Sequence, residues 1–261
     1  MSEATTGQGL AVVTAGVSAI GRDLVLGLAR AGYNLAFTHL GAEAQAAALV
    51  AQVEALGHRA RAWESDAGNP DQVARFWAEL ADWGGAPVVL VNNAGIQTWA
   101  RLLDLKVEDW DRVMATNLRG AFLNTQAAAR AMAAAGEGGS IVMLGSGCNK
   151  LAFPRLVDYT ASKGGVEQFT KAAAVELGPL GIRVNCVAPG AVATERTASE
   201  AGDYAGTWAR VTPLRRVGTP EDIVGPVLFF CSAAAGFVTG QTLWVDGGVF
   251  SQATWPYDLE A

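Results

Sequence analysis

Cysteine, histidine and basic charge are scarce in this chain, and each shortage removes a class of function. Its three cysteines, Cys148, Cys186 and Cys231, are odd in number and far apart, and only two histidines accompany them among 261 residues. That set offers neither a disulfide framework nor a metal-ligand spacing, so no metal is expected and a reducing, cytoplasmic setting is. Nineteen Lys and Arg against 25 Asp and Glu leave a net charge of -6. There is no basic surface here for nucleic acid or for an anionic membrane, and small molecules or further copies of the chain are the expected partners. The opening MSEATTGQG carries Glu3 and no basic segment, so no secretory signal is expected. The uncharged run 223–245 is interrupted by Gly225, Pro226, Ser232, Gly236, Thr239 and Gly240. It reads as a buried helix, a loop and a strand rather than a spanning helix.

What the chain does hold is apolar mass in alternating periods. Hydrophobic residues make up 51% and charged residues 17%, ample for a buried core. Short apolar runs at Leu10–Thr14, Asn34–Thr38, Ala60–Glu64, Val88–Asn92, Ser140–Leu144, Arg183–Ala188 and Thr242–Val245 read as strands. Helical periods lie between them near Ile20–Ala31, Glu43–Leu56, Pro70–Trp83, Val107–Ala135, Asp158–Leu177 and Pro220–Cys231, bounded by Gly, Pro or Asn. The alternation predicts an α/β fold: a doubly wound, mostly parallel seven-stranded sheet with helices on both faces, in a single domain over residues 1–261. Two segments stand outside the pattern, a loop of small and polar residues at 195–211, which is expected to contact substrate, and an aromatic tail at 250–261.

In such a sheet, ligands bind beyond the carboxyl ends of the strands. After the first strand comes Thr14-Ala15-Gly16-Val17-Ser18-Ala19-Ile20-Gly21, a small-residue turn entering a helix. There, backbone N–H groups and a helix N-terminus can meet a pyrophosphate. Further along, Tyr159 and Lys163 are four apart on a helix, hence on one face, with the ammonium able to act on the phenol.

Those two features join Val91-Asn92-Asn93-Ala94-Gly95 after the fourth strand, Pro189-Gly190 after the sixth, Asn117, and Asp246-Gly247-Gly248. Together they resemble the short-chain dehydrogenase/reductase family over essentially the whole chain. The resemblance implies a Rossmann domain, a nicotinamide cofactor, and interconversion of a secondary alcohol or sugar lactol with a carbonyl. Within the family the pattern is similar to sugar 1-dehydrogenases and ketone reductases. It also implies a catalytic set of Asn117, Ser146, Tyr159 and Lys163, with Ser146 thirteen residues before Tyr159. Carbonyl reduction needs a hydride on carbon and a proton on oxygen. A tyrosine supplies the proton if its pKa, about 10 when unperturbed, is lowered. Lys163 and an oxidised nicotinamide would both favour the phenolate. Lys163 would also hold the nicotinamide ribose, Ser146 would hydrogen-bond the substrate oxygen, and Asn117 would kink its helix and hold a water for proton relay.

For the cofactor, the resemblance implies Thr14, Gly16, Ser18, Ile20 and Gly21 at the phosphates, with Ala15 and Ala19 standing where the family has glycine. Thr38 and His39 end the second strand without a carboxylate, which favours NADP(H), with NAD(H) possible; His39 could equally be an ordinary strand-end surface residue. Asp66 and Ala67 would lie by the adenine, although Asp66 could simply be a helix N-cap. Asn93, Ala94 and Gly95 would wall the adenosine ribose, and Pro189, Gly190, Val192 and Thr194 the carboxamide end. Substrate contacts are expected from Gln97, Trp99, Cys148, Phe153 and Trp208, with Asn149 and Lys150 also able to bind hydroxyls. Cys148 is either a reactive thiol or a small pocket-lining residue. A homotetramer is expected, built on the helices carrying Asn117 and Tyr159, with the tail at subunit contacts. The alternatives are a 3-oxoacyl thioester reductase and a non-catalytic nucleotide-binding regulatory protein.

Overall fold

The computed structural model describes residues 9–200 and 202–253. Seven strands, β1 (Leu10–Val13), β2 (Asn34–His39), β3 (Ala60–Glu64), β4 (Val89–Asn92), β5 (Gly139–Leu144), β6 (Ile182–Pro189) and β7 (Thr242–Val245), form one sheet in the order β3-β2-β1-β4-β5-β6-β7. Every adjacent pair is parallel. Strand order reverses beside β1, where β2 lies on one side and β4 on the other, so the crevice at the carboxyl ends of β1 and β4 is the place for a ligand.

The strands alternate faces with period two, as sheet geometry requires. Ala11 and Val13 of β1, Leu35 and Phe37 of β2 and Val89 and Val91 of β4 pack under helices α1 (Ala19–Arg30), α2 (Glu43–Ala55) and α9 (Pro220–Cys231). Leu10, Val12, Ala36 and Leu90 point the other way, into helices α3 (Pro70–Gly84), α5 (Gly120–Ala135) and α6 (Val157–Leu177). With both faces covered, the central strands are apolar throughout, which is why they read as continuous runs.

Two segments differ from the sequence expectation. The long helix expected over Val107–Ala135 is divided into α4 (Val107–Met114) and α5 by a π-helical turn at Ala115–Arg119. The apolar pattern runs straight through this turn, so periodicity alone did not reveal it. The loop expected at 195–211 holds two short helices, α7 (Glu195–Glu200) and α8 (Tyr204–Val211). Asp203 starts α8 by accepting a hydrogen bond from the Gly206 amide at 2.9 Å, a capping contact that a small, polar composition conceals. The uncharged run 223–245 is, as expected, the end of a helix, a loop and β7. No helix among the described residues is long and apolar enough to cross a membrane. Of the aromatic tail, Trp255, Pro256 and Tyr257 lie outside the described residues.

Candidate active site

The turn after β1 is braced from both sides. Thr14 Oγ1 accepts the backbone N–H groups of Asn93 and Ala94 at 2.9 and 3.0 Å, while the Asn93 amide donates to the carbonyls of Thr14 and Ala15 and to Ser18 Oγ. Asn93 is thus a brace for the turn as well as a residue of the cleft wall. Ser18 caps α1, its hydroxyl accepting from Gly21 N at 3.2 Å. Gly21 has no room for a side chain, because a Cβ there would lie 2.3 Å from the Ala15 carbonyl oxygen. No acidic residue occupies the first turn of α1, so its positive end faces the cleft through Val17–Ile20, a geometry suited to a pyrophosphate.

Ala15 adopts φ 52°, a left-handed conformation that glycine takes freely. The turn therefore keeps the shape a glycine would give it, and the methyl is accommodated by strain rather than by a shifted loop. Ala19 needs no such accommodation, since it is the first residue of α1. Left-handed geometry costs a non-glycine residue about 1–2 kcal/mol, and glycine returns about 0.5–1 kcal/mol through its freer unfolded chain. Ala15→Gly is accordingly expected to stabilise the fold by about 0.5–1 kcal/mol, read by denaturant unfolding. A destabilised variant would show that Ala15 is not strained.

At the end of β2, Thr38 is 4% and His39 7% exposed. The Thr38 hydroxyl accepts the Ala15 amide at 3.0 Å, and His39 Nδ1 is buried without a hydrogen-bond partner. His39 is thus not a surface residue, and the Thr38 side chain supports the turn through Ala15. Asp66 does not cap α3; Asn69 does, accepting from Asp71 and Gln72. The Asp66 carboxylate instead accepts from Gly68 N at 2.8 Å, while Ala67 is buried.

Ser146, Tyr159 and Lys163 meet past the end of β5. The Ser146 hydroxyl accepts from Cys148 N at 3.2 Å and lies close enough to the Tyr159 phenol to favour its deprotonated form. Lys163, 4% exposed, donates from Nζ to the Leu144 carbonyl at 2.7 Å and lies 5.6 Å from the centre of the Tyr159 ring. Asn117 sits in the π turn. Its amide nitrogen donates to the Ile96 carbonyl at 2.8 Å and to Ser162 Oγ at 3.0 Å, and its oxygen accepts from Ile96 N at 2.8 Å. Its side chain therefore clamps the segment after β4 to α6, and the π-helical turn stands where the kink is expected.

The expected lowering of the phenol pKa is not produced by the protein's own groups. Burial pushes Tyr159 up to about 12, against the lowering pull of Ser146 and Arg196. Burial likewise brings the Lys163 ammonium down to about 8. The Cys148 thiol is raised, chiefly by burial, which keeps it protonated and makes it a pocket-lining group rather than a reactive thiolate.

These residues open on a cleft of about 670 Å³. All five expected substrate residues, Gln97, Trp99, Cys148, Phe153 and Trp208, line it, as do Ser18, Ile20, Asn93, Gly95, Pro189, Gly190, Val192 and Thr194 of the expected cofactor set. Thr14, Gly16, Gly21, Thr38, His39, Asp66, Ala67 and Ala94 do not; they shape or flank it. Asn149 and Lys150 are turned away from it. Asn149 accepts from Ser146 N at 3.1 Å, and Lys150 donates to the Phe250 carbonyl at 2.9 Å. The expected substrate loop 195–211 reaches the cleft through Glu195, Arg196, Thr197, Tyr204 and Trp208, whereas Phe250 was missed as a cleft residue. Phe250, from the tail assigned to subunit contacts, packs edge-on against Phe153 with centroids 5.7 Å apart. A Cβ on Gly147 would lie 2.2 Å from the Phe250 ring, and that glycine was the only local sign of the approach.

A cleft at the strand-order reversal, entered by an acid-free helix N-terminus and floored by a tyrosine, a serine and a lysine, suits hydride exchange between a nicotinamide and an oxygen-bearing carbon. Proteins built this way are nicotinamide-dependent oxidoreductases. Residues 14–250 match the family model described as Enoyl-(Acyl carrier protein) reductase. The L-rhamnose 1-dehydrogenase (NAD(P)(+)) of Sphingomonas sp. is 37% identical over 241 residues, 92% of this chain and 95% of that protein. A 3-oxoacyl-[acyl-carrier-protein] reductase of Staphylococcus epidermidis is 36% identical over 240 residues, 92% of this chain and 98% of its own. The crystal structure of a gluconate 5-dehydrogenase from Burkholderia cenocepacia, in complex with NADP and tartrate, superposes with a TM-score of 0.89 at 35% identity, covering 95% of this chain and 97% of that one. The chain belongs to the short-chain dehydrogenase/reductase family. It is an NAD(P)-dependent oxidoreductase acting between alcohols and carbonyls.

Proposed function

We propose that the chain oxidises a secondary alcohol or lactol of a small polyhydroxylated molecule, and reduces the matching carbonyl, with Tyr159 as the acid/base. The convergence of Ser146, Tyr159 and Lys163 past β5 carries this reading. A bound nicotinamide would supply or take up the hydride. Backbone N–H groups at Ser18–Ile20 would hold its phosphates, Lys163 its ribose, and Val192 and Thr194 its carboxamide end. In oxidation the Tyr159 oxygen takes the hydroxyl proton; in reduction it returns it. Ser146 donates to the substrate oxygen and fixes which carbon faces the cofactor. Lys163, anchored by the Leu144 carbonyl, keeps a cation beside the phenol, and a bound oxidised nicotinamide would add the positive charge that favours the phenolate.

NADP(H) is the favoured cofactor and NAD(H) the second, because no carboxylate stands at the end of β2 to repel a 2′-phosphate. Both sugar relatives support a hydroxylated substrate, while the Staphylococcus relative and the aromatic walls Trp99, Phe153 and Phe250 keep a 3-oxoacyl thioester as the second reading. A homotetramer is supported by an open groove between α4, the π turn, α5 and α6, lined by Leu118, Phe122 and Phe169, and a cytoplasmic setting by three unpaired thiols. Nicotinamide absorbance, followed with both cofactors across sugars, polyols, ketones and an acetoacetyl thioester, tests the reading. Turnover of hydroxylated substrates with the higher kcat/KM for NADP is expected. Turnover of the thioester alone would replace the substrate assignment, and a large advantage for NAD would overturn the cofactor preference.

A further inference from the structure

The wall of the cleft beside Ser146 comes from the segment after β7, far away in sequence. The Asp246 carboxylate folds the chain back there, accepting from Gly248 N through Oδ1 and from Phe250 N through Oδ2, both at 2.9 Å. The Phe250 carbonyl accepts from Lys150 Nζ at 2.9 Å, and that ammonium also lies 5.6 Å from the centre of the Trp244 ring. The backbone of Phe250 is therefore pinned to the loop that carries Ser146. Its ring is 9% exposed and packs so closely over Gly147 that a Cβ there would lie 2.2 and 2.3 Å from two of its carbons. The same ring stands edge-on to Phe153, which in turn meets Trp208 with centroids 6.2 Å apart. All three rings line the cleft that holds Ser146 and Tyr159, and Phe250 is the one that reaches the residue after Ser146. A ring pinned through its main chain and packed on both sides yields little, even to one extra methylene.

We propose that Phe250 is a specificity-determining residue that closes the substrate space beside Ser146, so that one substituent of the reacting carbon is short and apolar, the size of a methyl group. A carbon whose oxygen sits on Ser146 and Tyr159 carries two further substituents in the cleft. The one on the Gly147 side meets the Phe250 ring, and the longer one takes the remaining space. The inference rests on the oxidoreductase reading above and narrows it to open-chain alcohols and ketones with the oxygen on the penultimate carbon.

The test compares substrates matched around the short substituent, with either nicotinamide: 2-hexanol beside its isomer 3-hexanol, and 2,3-butanediol beside 3,4-hexanediol. Wild type is expected to show the higher kcat/KM on the methyl member of each pair, by about tenfold or more, the discrimination that one methylene brings in an apolar pocket. Phe250→Ala should bring that ratio close to one or invert it. Phe250→Leu, which keeps more of the volume filled, should shift it in the same direction by less. Gly147→Ala forces the ring off its seat and should cut kcat/KM on the methyl members, and Phe250→Ala in the same chain should recover most of that loss, because the two positions share one contact. A general loss of structure lowers both members of a pair alike, so a ratio unchanged in both Phe250→Ala and Phe250→Leu overturns the proposal, as do additive losses in the double variant. Wild type that prefers the ethyl members, or that accepts neither pair while turning over sugars of the wider panel, also overturns it and leaves the oxidoreductase reading standing. Wild type inactive on every compound overturns both.

Discussion

Tyr159→Phe is expected to lower kcat by about a thousandfold, within the range that a positioned proton donor contributes. Phenylalanine keeps the ring, and with it the packing at the start of α6, but has no proton to exchange. The loss should fall on kcat, with the cofactor Kd within about threefold of wild type, because a group acting mainly in the transition state leaves ground-state binding nearly intact. The stability change should be small, about 1 kcal/mol, as the contact with Ser146 is lost and a buried hydroxyl is removed with it. Steady-state nicotinamide absorbance and a fluorescence titration of the reduced cofactor separate the two parameters. A variant turning over at the wild-type rate would remove Tyr159 from the proton path.

Lys163→Met should separate activity from stability in opposite directions. Burial holds the ammonium at about 8 against its ordinary 10.5, and the side chain is only 4% exposed. Below pH 8 the folded protein carries a charge it would rather not have, a cost of about 3 kcal/mol at most from the pKa difference. Replacement removes that cost and also the hydrogen bond to the Leu144 carbonyl, worth about 1 kcal/mol. The variant is therefore expected to be about 1–2 kcal/mol more stable at neutral pH, while turnover falls by about two to four orders of magnitude. Between about pH 8 and 10.5 the unfolded chain binds more protons than the folded one, so wild-type stability gains on the variant as pH rises through that window. Cys186 and Cys231, pushed up by burial to about 11 and about 12, pull the other way above pH 9. Cys231 does so in both proteins and drops out of the difference, whereas Cys186 loses the lowering pull of Lys163 in the variant, which adds to the wild-type gain at alkaline pH. Denaturant unfolding across this pH range checks the crossover; a variant less stable at every pH would contradict it.

The parts of this molecule written in short-range patterns were readable before any coordinates. Strands buried on both faces leave continuous apolar runs, and Gly21 and Ser146 sit at turns whose residue types follow from local chemistry. Long-range accommodation was not readable. Ala15 looked like a gap in a phosphate turn, yet the Asn93 and Thr38 hydrogen bonds hold it in a glycine-like conformation. Asn149 and Lys150 looked like substrate ligands because they follow Ser146, but backbone groups at Ser146 and Phe250 claim them. The loop 195–211 was legible as substrate-facing, though not its fold into α7 and α8, and Phe250 was invisible as a cleft residue because the return of the chain past β7 brings it there. The irregularity at Asn117 was implied only by the family resemblance and not by the apolar period, because one extra residue in a helix scarcely disturbs an apolar stripe.

The state of Tyr159 is the most direct test of the proton path. Wild type minus Tyr159→Phe, measured as an ultraviolet tyrosinate difference spectrum against pH, isolates one phenol from the other three tyrosines. With burial holding it at about 12, the cofactor-free enzyme should show no tyrosinate from Tyr159 at neutral or mildly alkaline pH. With the oxidised, cationic nicotinamide bound, the same signal should appear at a pH lower by about two units or more. A tyrosinate already present near neutral pH without cofactor, or a titration that cofactor does not move, would contradict the role assigned to Tyr159.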